Sequence, residues 1–302
     1  MMYKDYNNVL FIQDSALANA YTQEFNMMWG STTATPNASL AKFGTEKTDL
    51  GLHSFVIGGK SVYLYFSPSD GSNSQIVNAI ETANTDLYLG MYDLTEATNA
   101  YDISAKNSAG VYTHAILDQY SNPGSAYTTI AGLGPSNFIE YTGAYIYHNK
   151  MLIVDPSDTC SDPQVETGSE NWTSSGTSDN DENILIIHSD TLANIYYQSF
   201  YQDFVGLGGT ALRLVGGCGT TGIPAAPQTV LKTVIYPNPA SNELNISSPG
   251  IITSVTISSL LGQTLCSHEY NTEHVNLDVS GLPAGVYFIK INGTEAMKFL
   301  KQ

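Results

Sequence analysis

Two short stretches constrain this chain more than anything else in it: His148-Asn149-Lys150-Met151-Leu152-Ile153-Val154-Asp155 and, downstream, Gly168-Ser169-Glu170-Asn171-Trp172. The first is an apolar strand with one His and one Lys set into its pattern. Side chains on a strand alternate faces, so His148 and Lys150 share a face, about 7 Å apart by the rise per residue. An imidazole beside a fixed cation suits an anionic phosphorus centre. Lys150 neutralises the oxygens while neutral His148 attacks. Asn171, in a Gly-Ser-x-Asn turn, adds amide hydrogen bonds to the same oxygens. Glu182 is expected to accept a proton from the other ring nitrogen of His148, fixing its tautomer.

The order and spacing of these residues resemble the His-x-Lys-x4-Asp and Gly-Ser-x-Asn signatures of the phospholipase D superfamily. The resemblance implies a two-step, metal-independent phosphodiester hydrolysis or transfer with no cofactor. His148 forms a phosphohistidine, Lys150 and Asn171 hold the non-bridging oxygens, and Ser169 is an auxiliary donor. Asp155 belongs to the same catalytic signature, although parity puts it on the opposite strand face, where it braces the strand end. A phospholipid is the expected substrate. A nuclease of the same superfamily is the alternative, and a non-catalytic surface protein on a truncated scaffold is a second.

Charge bears on that choice. The chain of 302 residues has 28 acidic and 11 basic ones, a net of −17. A nucleic-acid binder normally shows a basic stripe. None is visible, so nucleic acid is the less expected substrate. The three cysteines, Cys160, Cys218 and Cys266, match no zinc spacing. Cys160 and Cys218 can pair if the protein is exported, and three unrelated thiols is the equal alternative.

Residues 8–29 repeat in residues 183–204 without gaps, at an offset of 175. Nine of these 22 positions are identical, among them Asn8/Asn183, Leu17/Leu192, Asn19/Asn194, Tyr21/Tyr196, Gln23/Gln198 and Phe25/Phe200. This is an internal repeat. Subtracting 175 from 148 gives a position before the first residue, so the repeat contains no second His148. Many phospholipase D relatives have two half-domains sharing one active site, and this chain resembles one that keeps only the last strand and helix of its first half. Asn7 stands where Glu182 stands in the second copy. The second histidine of the family would come from a homodimer or from a half-domain upstream.

Residues 1–33 are therefore read as the remnant, with a strand over Asn8–Ile12 and a helix from Ser15 to Trp29. Residues 34–60 are an inter-repeat loop. Residues 61–208 form the complete half-domain, with alternating strands and helices that argue for an α/β mixed sheet. Within it Asn122–Thr142 reads as loop. Residues 209–230 are a Gly-Thr-Pro-Ala-rich linker.

Beyond the linker, short alternating strands and turn residues indicate a small all-β immunoglobulin-like sandwich at residues 231–302. Tyr236-Pro237-Asn238-Pro239-Ala240, Leu261-Gly262-Gln263 and Leu282-Pro283-Ala284-Gly285-Val286-Tyr287 resemble the type IX secretion sorting domain of Bacteroidetes. The resemblance implies the secretion machinery as a partner and a secreted or outer-membrane location. An export signal is expected with such a domain, but Met1-Met2-Tyr3-Lys4-Asp5 lacks one. One expectation covers both gaps: the true N-terminal region lies upstream of Met1.

Overall fold

The computed structural model describes residues 5–213, 233–259, 263–293 and 295–302. The chain divides into two compact units, residues 1–222 and 223–302. Most of the expected linker, Cys218 and Leu261-Gly262 lie outside the described residues.

The first unit opens with an extended segment and helix α1 (Ser15–Trp29). The Asp14 side chain caps the helix by accepting from Leu17 N, and Gly30, at φ 68°, ends it in the left-handed region that glycine tolerates. Strands β1 (Ser54–Ile57) and β2 (Lys60–Phe66) follow as a hairpin. Its two-residue turn, Gly58-Gly59, has positive φ at both positions, as a primed turn requires. Next come α2 (Ser72–Glu81), β3 (Asp86–Met91), α3 (Ala97–Ser108), β4 (Tyr112–Asp118), α4 (Ser125–Ala131) and β5 (Phe138–Tyr141). The unit closes with β6 (Lys150–Val154), β7 (Gln164–Gly168), α5 (Ser174–Ser178), β8 (Asn183–His188) and α6 (Asp190–Gly206).

The eight strands form one mixed sheet in the order β1-β2-β8-β7-β6-β3-β4-β5. β3 and β4, and β4 and β5, run parallel, and the other neighbours are antiparallel. Both faces are covered. Ile76 and Ile80 of α2, Ile103 of α3 and Ile130 of α4 bury against Leu152, Val154, Ile184 and Ile186 on one face. Phe200 and Phe204 of α6 bury against Met151, Ile153 and Val165 on the other, beside Leu17 and Ala20 of α1 on Leu64 and Leu185. β6 is buried on both faces, which is why Met151–Val154 reads as a continuous apolar run.

Three expectations need correction. Asn8–Ile12 is not a strand. Its counterpart β8 is laddered between β2 and β7, and among the described residues no strand pairs with residues 8–12. The segment stays extended, and alternate residues face solvent: Val9 is 56% and Phe11 92% exposed, where their counterparts Ile184 and Ile186 are buried. The loop expected over 34–60 ends early, because β1 pairs with β2 from Ser54. The loop expected over Asn122–Thr142 contains α4 and β5. Ala126 and Ile130 bury one face of α4, and β5 pairs with β4.

The second unit is all β and antiparallel, with β9 (Val234–Tyr236), β10 (Glu243–Ser259), β11 (Thr264–Asp278), β12 (Gly285–Ile291) and β13 (Glu295–Lys301). β10 is long and takes in both Glu243–Ile246 and Val255–Ile257. Register shifts along β10 and β11 bend the pair, and Leu244, Ile246, Ile257, Leu277, Ile289 and Phe299 share one core. The fold class is that read from the sequence, an α/β mixed sheet followed by an all-β unit.

A buried ion pair ties α1 to the sheet. Lys47 Nζ donates to Glu24 Oε1 at 2.6 Å and to Ser67 O at 2.7 Å, with both side chains almost fully buried. Asp181 Oδ1 lies 3.2 Å from the same ammonium, so removing Glu24 leaves the buried lysine with one weaker, partly exposed counter-charge. Glu24→Ala is therefore expected to cost about 3 kcal/mol, read as a lowered urea midpoint at an unchanged m-value. A midpoint equal to wild type would show that the pair carries no stability.

Candidate active site

The antiparallel register of β6, β7 and β8 assembles the site. Met151 pairs with Thr167 and Gly168 with Ile184. The start of β6, the end of β7 and the start of β8 therefore meet at one end of the sheet. His148 and Lys150 arrive on the first, Ser169 and Asn171 on the second, and Glu182 on the third. The backbones are close there: a Cβ on Gly168 would stand 2.0 Å from Asn183 O, so only glycine fits.

His148 is exposed, and Lys150 beside it is buried. Lys150 Nζ donates to His148 O at 3.3 Å. Tyr92, just past β3, contacts both. Its ring centroid is 5.1 Å from that of His148 and also 5.1 Å from Lys150 Nζ. Burial lowers the pKa of Lys150 to about 8, and the carboxylates of Glu182 and Asp93 oppose that shift. Burial and the Lys150 charge also lower the pKa of His148, against Asp5 and Asp118. The ring is thus biased to the neutral form that carries a nucleophilic lone pair.

Glu182 does not take the role expected of it. Nδ1 of His148 meets Asn7 Oδ1 at 3.0 Å, and Glu182 forms no hydrogen bond to the ring among the described residues. Its carboxylate acts on Lys150 instead. Asp155 is not at the site either. It is fully buried at φ 49°, at the far end of β6. Its carboxylate accepts from the backbone N–H of Asn84, Thr85 and Asp86 and from Ser161 Oγ. It braces the strand end, as parity suggested, and touches no reacting group.

Ser169 Oγ accepts from Asn183 N and Asn183 Nδ2, both at 3.1 Å, which leaves its own proton to donate outward. Asn171 is half-buried, and its Oδ1 is enclosed without a hydrogen-bond partner. Trp172 is fully buried beneath the turn and is packing, not groove lining. Tyr141 and Tyr147 are likewise core residues. Two histidines outside the site have acidic neighbours that the sequence did not reveal: His53 beside Asp49 and Asp70, and His188 beside Asp162. Cys160 is disulfide-bonded and Cys266 is free.

The sequence reading also missed Tyr92, Asn7 and a pair of buried acids. The available signal for Asn7 was its place opposite Glu182 in the repeat. For Glu166 it was a carboxylate at the middle of β7 (Gln164–Gly168), next to the core residue Val165.

Residues 76–204 match the family described as cardiolipin synthase, phospholipase D-like domain. Residues 234–302 match the secretion system C-terminal sorting domain. This chain carries a phospholipase D-like domain and a sorting domain. The sorting domain marks it for type IX secretion, to the cell surface or the medium. The phospholipase D of Rickettsia conorii is 28% identical over 138 residues, 45% of this chain and 65% of that protein. That of Rickettsia prowazekii is 29% identical over 140 residues, 45% of this chain and 64% of that protein. The match thus spans less than two thirds of these relatives. Among solved structures, Nuc from Salmonella typhimurium, a phospholipase D family member, is 27% identical, with 51% of this chain and 99% of that one aligned at a TM-score of 0.43. NucT from Helicobacter pylori is 19% identical, with 48% and 96% aligned at 0.42.

Beneath the candidate site, Glu166 and Glu170 are buried in the sheet–helix core. Ser72 Oγ donates to Glu170. Neither oxygen of Glu166 has a hydrogen-bond partner, and the Trp172 indole stands near without closing one. Burial, with Glu170 adding to it, raises the pKa of Glu166 to about 8. That of Glu170 rises to about 7, also mainly through burial. A folded state that holds a proton the unfolded chain releases loses stability as pH rises. The window runs from the ordinary carboxylate range up through about 8. Glu166→Gln is expected to remove one such proton, flattening the slope by ~1.4 kcal/mol per pH unit within that window. Denaturant unfolding from pH 5 to 9 measures it, and equal slopes for both proteins would refute a protonated Glu166.

Proposed function

We propose that this chain is a secreted, metal-independent phosphodiesterase acting on phospholipids through a phosphohistidine on His148. The family is one of phosphodiesterases, and the single observation that carries the reading is the accessible His148 ring with the Lys150 ammonium beside it. With Nδ1 engaged by Asn7, Nε2 is the free nitrogen. Its lone pair forms the N–P bond as the P–O bond to the leaving alcohol breaks. Lys150, Asn171 and the outward proton of Ser169 hold the non-bridging oxygens. Water then attacks phosphorus, the N–P bond breaks, and the imidazole is restored. A net charge of −17 repels nucleic acid more than it does a lipid whose headgroup is zwitterionic, and the Rickettsia relatives are named phospholipase D.

The leaving alkoxide needs a proton, and a positioned acid contributes about 10²- to 10⁴-fold. In this reading a second histidine supplies it, from another copy of the chain or from a preceding half-domain.

Bis(p-nitrophenyl) phosphate tests the attack alone, because p-nitrophenolate leaves without a proton. Wild type is expected to cleave it and to trap an alkali-stable phosphohistidine, and His148→Ala to do neither. The rate is expected to rise with pH through the His148 pKa, which lies below 6.5. It then falls as Lys150 loses its charge near pH 8. Lys150→Met is expected to lower kcat about 10²- to 10³-fold. Phosphatidylcholine vesicles against plasmid DNA then decide the substrate. Nicked plasmid with intact vesicles would favour a nuclease. No label and no turnover on any substrate would favour a non-catalytic surface protein.

A further inference from the structure

The two copies of the internal repeat exchange partners across the structure. Tyr196 of the second copy donates to Asn8 Oδ1 at 3.1 Å, and Tyr21 of the first donates to Asn183 Oδ1 at 2.9 Å. Tyr21 and Tyr196 are equivalent at the offset of 175, and so are Asn8 and Asn183. The helix caps repeat as well: Asp14 accepts from Leu17 N and Ser189 from Leu192 N. Equivalent residues thus make equivalent bonds to the opposite copy, which is the mark of an approximate two-fold axis.

The residue before each asparagine differs between the copies. In the second it is Glu182, and in the first it is Asn7. Asn8 is fixed beside Asn7 by three hydrogen bonds, to Tyr196, Thr167 and Asn149. Tyr6 N donates to Ile146 O at 2.9 Å on its other side. Asn7 is therefore held between two anchored residues, and its Oδ1 reaches His148 Nδ1 at 3.0 Å.

From this exchange we infer that Asn7 is the positioning residue of His148, an uncharged acceptor that holds the ring as the Nδ1–H tautomer with the Nε2 lone pair outward. The inference rests on His148 being the nucleophile, but its structural half does not. An amide oxygen accepts one proton from the ring and adds no negative charge to it. A carboxylate at this point would favour the imidazolium and move the acid limit of the neutral ring upward. Asn7 so fixes orientation without raising basicity. The charged groups that bear on the ring are Lys150 on β6, Asp118 at the end of β4 and Asp5 on the N-terminal segment. Tyr92 faces it from the loop after β3. None of them occupies Nδ1.

Nitrogen NMR of the ¹⁵N-labelled full chain reads the tautomer and titration of His148 with no need of turnover. His148→Gln assigns its signals among the six histidines. Wild type is expected to show Nδ1–H with an unprotonated Nε2. Asn7→Asp is expected to raise the His148 pKa by about one unit or more, and Asn7→Ala to give a mixture of tautomers. On bis(p-nitrophenyl) phosphate, Asn7→Asp should move the acid limb of the rate profile upward by the same shift. Asn7→Ala should lower kcat about tenfold, with KM little changed. An Nε2–H ring in wild type would overturn the inference, since it would mean that the Asn7 amide donates. A His148 titration unmoved by Asn7→Asp would overturn it as well. If the NMR result holds and no variant turns over any substrate, the positioning stands and the catalytic reading falls.

Discussion

The backbone contact between the end of β7 and the start of β8 sets the geometry of everything at the site. Ser169 N donates to Asn183 O at 3.0 Å, and Gly168 allows that approach because it has no Cβ to stand in the way. The contact fixes three things together. It turns Ser169 Oγ toward Asn183, it aims the Asn171 turn, and it sets where Glu182 enters β8. A strand pair tolerates no one-residue slip when both of its faces are buried, and here both are. The precision of the polar groups is thus borrowed from the apolar packing of Leu152, Val165 and Ile186.

The repeat explains which parts of the first unit are finished and which are open. Phe200 on α6 is fully buried, whereas its counterpart Phe25 on α1 is 52% exposed and stacks on Trp29. Val9 and Phe11 differ from Ile184 and Ile186 in the same way. Among the described residues no strand covers Val9, Phe11 and Phe25, although Leu10, Ile12, Leu17 and Ala20 of the same copy pack on Leu64 and Leu185. This copy is also held in place by polar bonds, those of Asn8 and Tyr21, and by the buried Glu24–Lys47 pair. The Asn7–His148 bond is a by-product of the same docking: the segment that delivers Asn7 is anchored by residues that have no chemical task.

Much of this was legible in the sequence because periodicity and spacing are local. The order of the chemical groups, the continuous apolar β6, the α/β alternation and the change to an all-β pattern after the linker needed no tertiary knowledge; the length of β10 did. The misreadings share a cause. Asn8–Ile12 has the composition of a strand, but a strand also requires neighbours, and pairing is not written in the segment itself. The Gly-Ser-Tyr richness around α4 and β5 masked two short elements that only burial of Ile130 and pairing with β4 stabilise. Glu182 was assigned to His148 of its own copy, whereas the two-fold exchange sends each acceptor to the opposite copy. The alignment that revealed the repeat contained this answer, since it placed Asn7 opposite Glu182.

The electrostatics follow from scarcity of positive charge. Lys47 is bonded to Glu24, Lys60 to Asp190, and Lys106 to the carbonyls of Glu81 and Ala83. Lys150 instead has one long bond to a carbonyl and the face of Tyr92. A buried ammonium so thinly partnered is costly, and its lowered pKa expresses that cost. In the function proposed above, an arriving phosphodiester would relieve it by supplying the missing negative charge where the local dielectric is low and attraction is strongest. The carboxylates of Glu182 and Asp93 keep the cation charged until then, so an acidic surround and an anionic substrate are compatible here. In the proposed function, the acids hold the lysine ready for an anion, and the neutral Asn7 leaves the His148 ring uncharged beside it.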